Sequence, residues 1–162
     1  MPSFQLSGLA YEHFEPLFRL TDAQLLDFGA IRRVATEQPG FPCRVSLQDA
    51  EIGEEVLLFP YQYQASASPY RASGPIFVRR GAQQAALPPG HVPLYVSRRL
   101  ISLRAYDNAN MMVDATVCEG TAVAEQLERS FSAPEVAYVH LHNAKQGCFS
   151  CTARRTAQAA GG

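Results

Sequence analysis

Residues 101–142 decide the fold. They open Ile101-Ser-Leu-Arg-Ala-Tyr106, turn at Asp107-Asn-Ala-Asn110, and continue Met111-Met-Val-Asp-Ala-Thr-Val-Cys118. Ile101, Leu103 and Ala105 alternate with Ser102, Arg104 and Tyr106. Met111, Val113, Ala115 and Val117 then alternate with Met112, Asp114, Thr116 and Cys118. A period of two is that of a half-buried strand, so the two runs predict a β-hairpin. Over residues 119–132 the period changes: Val123, Leu127 and Phe131 stand four apart, the buried stripe of an amphipathic helix, and Pro134 stops it. Residues 135–142 return to period two, with Ala137, Val139 and Leu141 on one face and Val136, Tyr138, His140 and His142 on the other. Strand, helix, strand predicts a right-handed crossover unit. After a turn at Gly147, a final strand is expected over 148–154.

Outward from this stretch the signals are shorter. Thr21 can cap a helix, Asp22 suits its first turn and Gly29 its stop. Residues 31–35 read as a short strand. Strands are also expected over 44–47 and 55–63, around a turn containing Gly53, and over 75–79. Val56-Leu-Leu-Phe59 is apolar on both faces, as a central strand is. Gln38-Pro-Gly-Phe-Pro42 and Leu87-Pro-Pro-Gly90 mark loops. The pattern predicts an α+β fold: a single globular domain over 1–157 with a mixed or mostly antiparallel sheet and one or two packed helices, then a disordered tail at 158–162.

Composition narrows the class. A chain of 162 residues suits one core, and 47% apolar residues exclude a disordered chain. No apolar run approaches the roughly 18 residues that span a bilayer, so no membrane partner is expected. The first eight residues lack the basic and apolar regions of a signal peptide, which predicts a cytoplasmic protein with reduced thiols. A net charge of −1 argues against nucleic-acid binding. That charge is unevenly distributed. Residues 1–55 carry four Arg against nine carboxylates, whereas residues 56–106 carry six Arg and no carboxylate. An arginine-rich segment either binds an anion or is neutralised by the acidic first third. Neutralisation is the expectation for Arg79, Arg80, Arg98 and Arg99, at strand or turn ends.

The chemistry concentrates late in the chain. If the three late strands share a sheet, Arg104 and Tyr106, Asp114 and Thr116, and Tyr138, His140 and His142 can line one face. Arg, His and Tyr together suit a cleft better than a solvated face. His140-Leu-His142-Asn143-Ala-Lys145-Gln-Gly147-Cys148 adds an amide, the chain's only Lys and a thiol. Three readings fit. Cys148 is a nucleophile that His140 or His142 activates, with Asn143 or a backbone amide holding an oxyanion. Alternatively His140, His142, Cys148 and Cys151 ligate a metal, although their spacing matches no standard zinc signature. Or the group is packing, since Cys is among the residues most often buried. The Cys148-Phe-Ser-Cys151 spacing lacks the helix that a redox CxxC motif opens.

A second group lies in Ser66-Ala-Ser-Pro-Tyr70-Arg71-Ala-Ser73-Gly74, a small-residue loop that can cradle an anion. Arg44 is expected to form an ion pair with Asp49 or Asp114, or to meet a ligand. Taken together, Arg44, Arg71 and Arg104 are the expected anion-orienting residues, with Tyr70 and Asn143 beside them and Cys148, His140 and His142 at the reacting end. The expected partner is a small anionic ligand; no cofactor is assigned. The alternative is a non-catalytic protein-interaction module using the basic 56–106 segment.

Gly40-Phe-Pro-Cys-Arg44, Ser68-Pro-Tyr-Arg71, Gly74-Pro-Ile-Phe-Val78, Leu103-Arg-Ala-Tyr-Asp107, Met112-Val-Asp-Ala115 and His142-Asn-Ala-Lys-Gln-Gly-Cys148 occur in this order. The series resembles the bacterial domain-of-unknown-function family DUF1203, over nearly the whole chain from about Phe4 to Arg155. The resemblance implies a single cytoplasmic bacterial domain and supplies no substrate. Cys151 stands outside the pattern, which weakens the CxxC and four-ligand readings.

Overall fold

Two five-stranded sheets carry the molecule, which a computed structural model describes over residues 2–156; the tail expected at 158–162 lies outside the described residues. The first sheet holds β1 (Phe4–Ser7), β7 (Leu100–Tyr106), β8 (Met112–Glu119), β9 (Tyr138–Asn143) and β10 (Phe149–Arg155), in the order β1-β10-β9-β7-β8 with every neighbour antiparallel. The second holds β2 (Ile31–Val34), β3 (Pro42–Cys43), β4 (Gln48–Asp49), β5 (Glu55–Gln64) and β6 (Ala72–Arg79), in the order β2-β5-β6-β3-β4. Its single parallel pair is β3 with β6. The α-helices among the described residues are short: α1 (Asp22–Asp27), α2 (Leu94–Ser97) and α3 (Val123–Phe131). The expected single sheet is therefore two, and the fold is strand-rich rather than a balanced α+β, with 37% strand and 19% helix. No helix among the described residues is long and apolar enough to cross a membrane.

The late stretch folds as its periods require. β8 and β9 both lie antiparallel to β7 and on either side of it, so α3 joins two parallel strands across the sheet. Val123, Leu127 and Phe131 bury the stripe of α3 against Leu103, Ala105, Val139 and Leu141. Each such side chain contributes about 1.5–3 kcal/mol of burial. α1 begins at the expected cap: Thr21 and Gln24 form a reciprocal capping box, and Gly29 closes the helix with φ 69°. β5 is internal to its sheet. Its Leu57 faces one buried cluster and its Val56 another, as the unbroken apolar run implies.

Two expectations are corrected. Residues 44–47 form a buried turn, not a strand: Leu47 N donates to Cys43 O at 3.0 Å, and Leu47 takes φ 53°. The second correction concerns the faces of the hairpin. Tyr106 lies opposite Met112, but Ala105 lies opposite Asp114, so one extra residue bulges from β8. A one-residue slip turns every later side chain to the other face. Asp114 and Thr116 therefore sit opposite Ala105 and Leu103, on the α3 side, and are parted from Arg104. Ala115 and Val117 face Arg104 and Ser102 instead. The bulge is tolerated because β8 is an edge strand, where Val113 and Val117 stand exposed.

Candidate functional site

The other face of the first sheet turns toward β5 of the second. Strand register aligns Tyr106 with Tyr138, Arg104 with His140 and Ser102 with His142. Tyr63 of β5 closes over them. It stacks on Phe149 with ring centroids 5.6 Å apart and meets His142 edge-on at 4.9 Å. His140 is boxed by Tyr106, Tyr138 and Phe149 at 5.1, 5.2 and 5.3 Å. Buried Gln64 donates to the Tyr138 hydroxyl at 3.0 Å, and that hydroxyl donates to Asn110 Oδ1 at 2.7 Å. His140 and His142 are thus buried within an aromatic layer rather than lining an open cleft.

Burial fixes the state of both imidazoles. His142 approaches the Gly147 carbonyl through Nδ1 at 3.0 Å, and a carbonyl only accepts, so Nδ1 carries the proton. Its Nε2 is then the acceptor facing Arg104 NH1 at 3.4 Å. Burial lowers the His142 pKa to about 4; the Gly147 hydrogen bond opposes the shift, and Arg104 and Arg44 add to it. Burial, then His142, Arg154 and Arg104, lowers that of His140 to about 3. Both rings are neutral near pH 7, so neither supplies an imidazolium to activate a thiol, and both are weak bases. The geometry makes His142 a support for Arg104, whose Nε also donates to Ser102 Oγ at 3.3 Å. His140 Nδ1 is buried without a hydrogen-bond partner.

The reactive corner lies at the β9–β10 hairpin. Asn143 N donates to Cys148 O at 2.9 Å, and Gly147 N to Asn143 O at 2.7 Å. Gly147 adopts φ 78°, which a side chain at this position would resist. The turn sets Asn143 Nδ2 3.8 Å from Cys148 Sγ. From the buried 44–47 turn, Arg44 reaches the same sulfur. Its Nε donates to Phe149 O at 2.7 Å, its NH1 to Pro42 O at 2.5 Å and its NH2 to Cys148 Sγ at 3.1 Å. Arg44 is 1% exposed, and no carboxylate among the described residues lies within ion-pair distance of it. Buried charges are ordinarily paired. Of the three groups that Arg44 touches, only the Cys148 sulfur can carry negative charge.

The expected pairing of Arg44 with Asp49 or Asp114 is therefore corrected. The 44–47 turn aims the guanidinium inward at β10. β4 carries Asp49 to the end of α2, where Arg98 and Arg99 hold it at 3.3 and 2.5 Å. Asp114 is on the other face of its sheet. The neutralisation expected for the basic segment holds at four positions, with Arg79 on Glu54 and Arg80 on Glu55 completing the set.

The structure brings Arg44, Asn143 and Cys148 together and links Arg104 to His142. Tyr70 reaches this neighbourhood only through an edge contact with Tyr106 at 6.0 Å. Arg71 is exposed, with no side-chain partner among the described residues. Cys151 belongs to the α3-side core, where burial pushes its thiol up to about 12. No group of three or more potential metal ligands converges among the described residues. Sequence reasoning missed Tyr63, Gln64 and Ser102. The two-residue spacing of Tyr61 and Tyr63 was the available signal for an aromatic face on β5.

Neither the curated proteins nor the solved structures yield a match to the chain. One family model does match, described as a protein of unknown function (DUF1203), over residues 40–155. That span contains both the 44–47 turn and the β9–β10 hairpin, hence every contact at the Cys148 corner. The match covers well over half of the residues, and the chain belongs to the DUF1203 family.

Proposed function

We propose that this protein binds a small anionic molecule beside Arg104, with Cys148 as the reactive group and Arg44 donating a hydrogen bond to its sulfur. The observation that carries this reading is a buried guanidinium with no carboxylate, 3.1 Å from a half-buried thiol sulfur. A guanidinium stabilises a thiolate as an imidazolium does, and the thiolate is the nucleophile. Arg44 has its nitrogens committed to the sulfur and two carbonyls, so Arg104 is left to meet the anion. His142 orients Arg104, His140 fills the layer behind it, and Asn143 offers an amide to the sulfur. Reaction on the bound molecule is addition: the Cys148 sulfur bonds to an unsaturated carbon, whose π bond opens, and the atom at its other end takes up the proton that the thiol gives up.

The interaction-module reading has less support. Arg79, Arg80, Arg98 and Arg99 already have carboxylate partners, Arg98 and Arg99 sharing one, so the 56–106 segment offers an acidic protein far less free charge than its six arginines imply.

Alkylation of the folded protein, read by mass spectrometry at each cysteine, tests the proposal. Cys148 is expected to react first near neutral pH, ahead of buried Cys43 and Cys151, and Arg44→Met is expected to slow it by about tenfold. Small carboxylates are expected to raise the melting temperature, and Arg104→Ala to abolish that rise. Slow labelling at Cys148 that Arg44→Met leaves unchanged would reject the reactive thiol. An unaltered rise in Arg104→Ala would remove Arg104 from the site.

A further inference from the structure

A cleft of about 220 Å³ lies across the hairpin tip, lined by Arg98, Arg99, Leu100, Asn143, Lys145 and Gln146. Three of these six residues are basic and none is acidic. Arg98 and Arg99 share the single carboxylate of Asp49, so one guanidinium charge is left over. Lys145, exposed at the tip and without an ion-pair partner among the described residues, adds a second. The cleft is therefore electropositive without an internal counter-ion.

Asn143 supplies a second, independent feature. It is 4% exposed, yet its Oδ1 is buried with no hydrogen-bond donor. The amide orientation follows from the neighbouring sulfur. Cys148 Sγ accepts from Arg44 NH2, so the amide turns Nδ2 toward it and leaves Oδ1 as a lone acceptor. A buried acceptor without a donor is costly. A ligand suited to this cleft brings negative charge to the bases and a hydrogen-bond donor to Asn143.

We propose that this cleft binds a protonated oxyanion of the phosphate type, with Lys145, Arg98 and Arg99 meeting its charge and Asn143 Oδ1 accepting its P–OH. Sulfate matches phosphate in size and shape but has no proton to donate near neutral pH, so the lone acceptor selects against it. The site shares Asn143 with the Cys148 corner and needs no reactive thiol.

The test is titration of the full chain with inorganic phosphate, arsenate and sulfate at equal ionic strength, followed by calorimetry. It is run at about pH 6, where phosphate and its esters keep a proton. Phosphate and arsenate are expected to bind about tenfold or more tightly than sulfate. Lys145→Ala, at an exposed position that leaves the fold intact, is expected to weaken phosphate by about fivefold or more. Arg104→Ala is expected to leave it unchanged, so failure of this site and failure of the thiol site are distinguishable. Tighter binding of glycerol 3-phosphate than of inorganic phosphate assigns the cleft to a phosphate ester, and the reverse order to free phosphate. Sulfate binding as tightly as phosphate overturns the proposal. So does phosphate binding that survives Lys145→Ala but is lost in Arg104→Ala.

Discussion

Arg99 and Arg44 are both drawn out of solvent, but they are treated in opposite ways. Arg99, with Arg98, closes on the buried carboxylate of Asp49. Arg44 is buried more deeply and meets two carbonyls and a sulfur. The difference follows from position. Arg79, Arg80, Arg98 and Arg99 sit at the ends of β6 and α2, where chain from the acidic first third passes close enough to supply Glu54, Glu55 and Asp49. Arg44 points between the sheets, where no acidic side chain among the described residues is within ion-pair distance. A carboxylate-free stretch of sequence thus gives no carboxylate-free surface. Four of its six arginines take carboxylates from outside the stretch, while Arg71 and Arg104 take none among the described residues; the cation that the fold encloses most completely without a counter-ion is Arg44, and that is where Cys148 lies.

The largest effect should come from Arg44. Arg44→Ala removes three hydrogen bonds, two of them buried, and leaves a void, and is expected to cost about 3–5 kcal/mol in urea unfolding. A loss no greater than that for the exposed Arg80→Ala would erase the contrast between the two regions. Next is the response to acid. The native pKa values of His140 and His142, about 3 and about 4, both lie below the ordinary 6.5. As pH falls the unfolded chain therefore takes up protons before the native state does. Stability should hold above about pH 6.5 and drop by a few kcal/mol on the way down to about pH 3. Urea midpoints measured against pH should fall less steeply in His140→Leu than in the wild type; parallel slopes would contradict the buried neutral ring. Asp49→Asn comes third. It strips the charge that Arg98 and Arg99 share, at an expected cost of about 2 kcal/mol by the same unfolding measurement.

The parts of this molecule that were legible in the sequence are those set by local period. The β7–β8 hairpin, the stripe of α3 and the alternation of β9 each repeat within a dozen residues, and the Thr21 cap needs only Gln24. What stayed hidden is long-range or a single-residue event. Four-residue β1 is too short to show a period, yet it pairs with β10 at the far end of the chain. Alternation is the same in either of two sheets, so one sheet and two could not be told apart. The bulge opposite Ala105 leaves no mark in composition and still inverts the faces of β8. The site divides in the same way. Asn143, Gly147 and Cys148 meet through a local turn. The contact between Arg44 and Cys148 spans 104 residues and depends on the 44–47 turn, where apolar Val45 and Leu47 suggested a strand.

The smallest effect on stability distinguishes the regions most sharply by function. Arg80 is more than half exposed, and its pair with Glu55 at 3.0 Å is worth at most about 0.5–1 kcal/mol. Arg104 makes only two long contacts, at 3.3 and 3.4 Å, so Arg104→Ala is also expected to cost less than about 1 kcal/mol. On stability alone the two substitutions should look alike. Arg80, however, already carries a counter-ion, whereas Arg104 is supported by a neutral imidazole and has none. A small carboxylate titrated into each variant should therefore raise the melting temperature of Arg80→Ala as it does the wild type, and leave Arg104→Ala unmoved. Equal shifts in the two variants would mean that having no carboxylate partner does not mark a binding residue in this fold, and the contrast drawn from Arg44 would then concern folding alone.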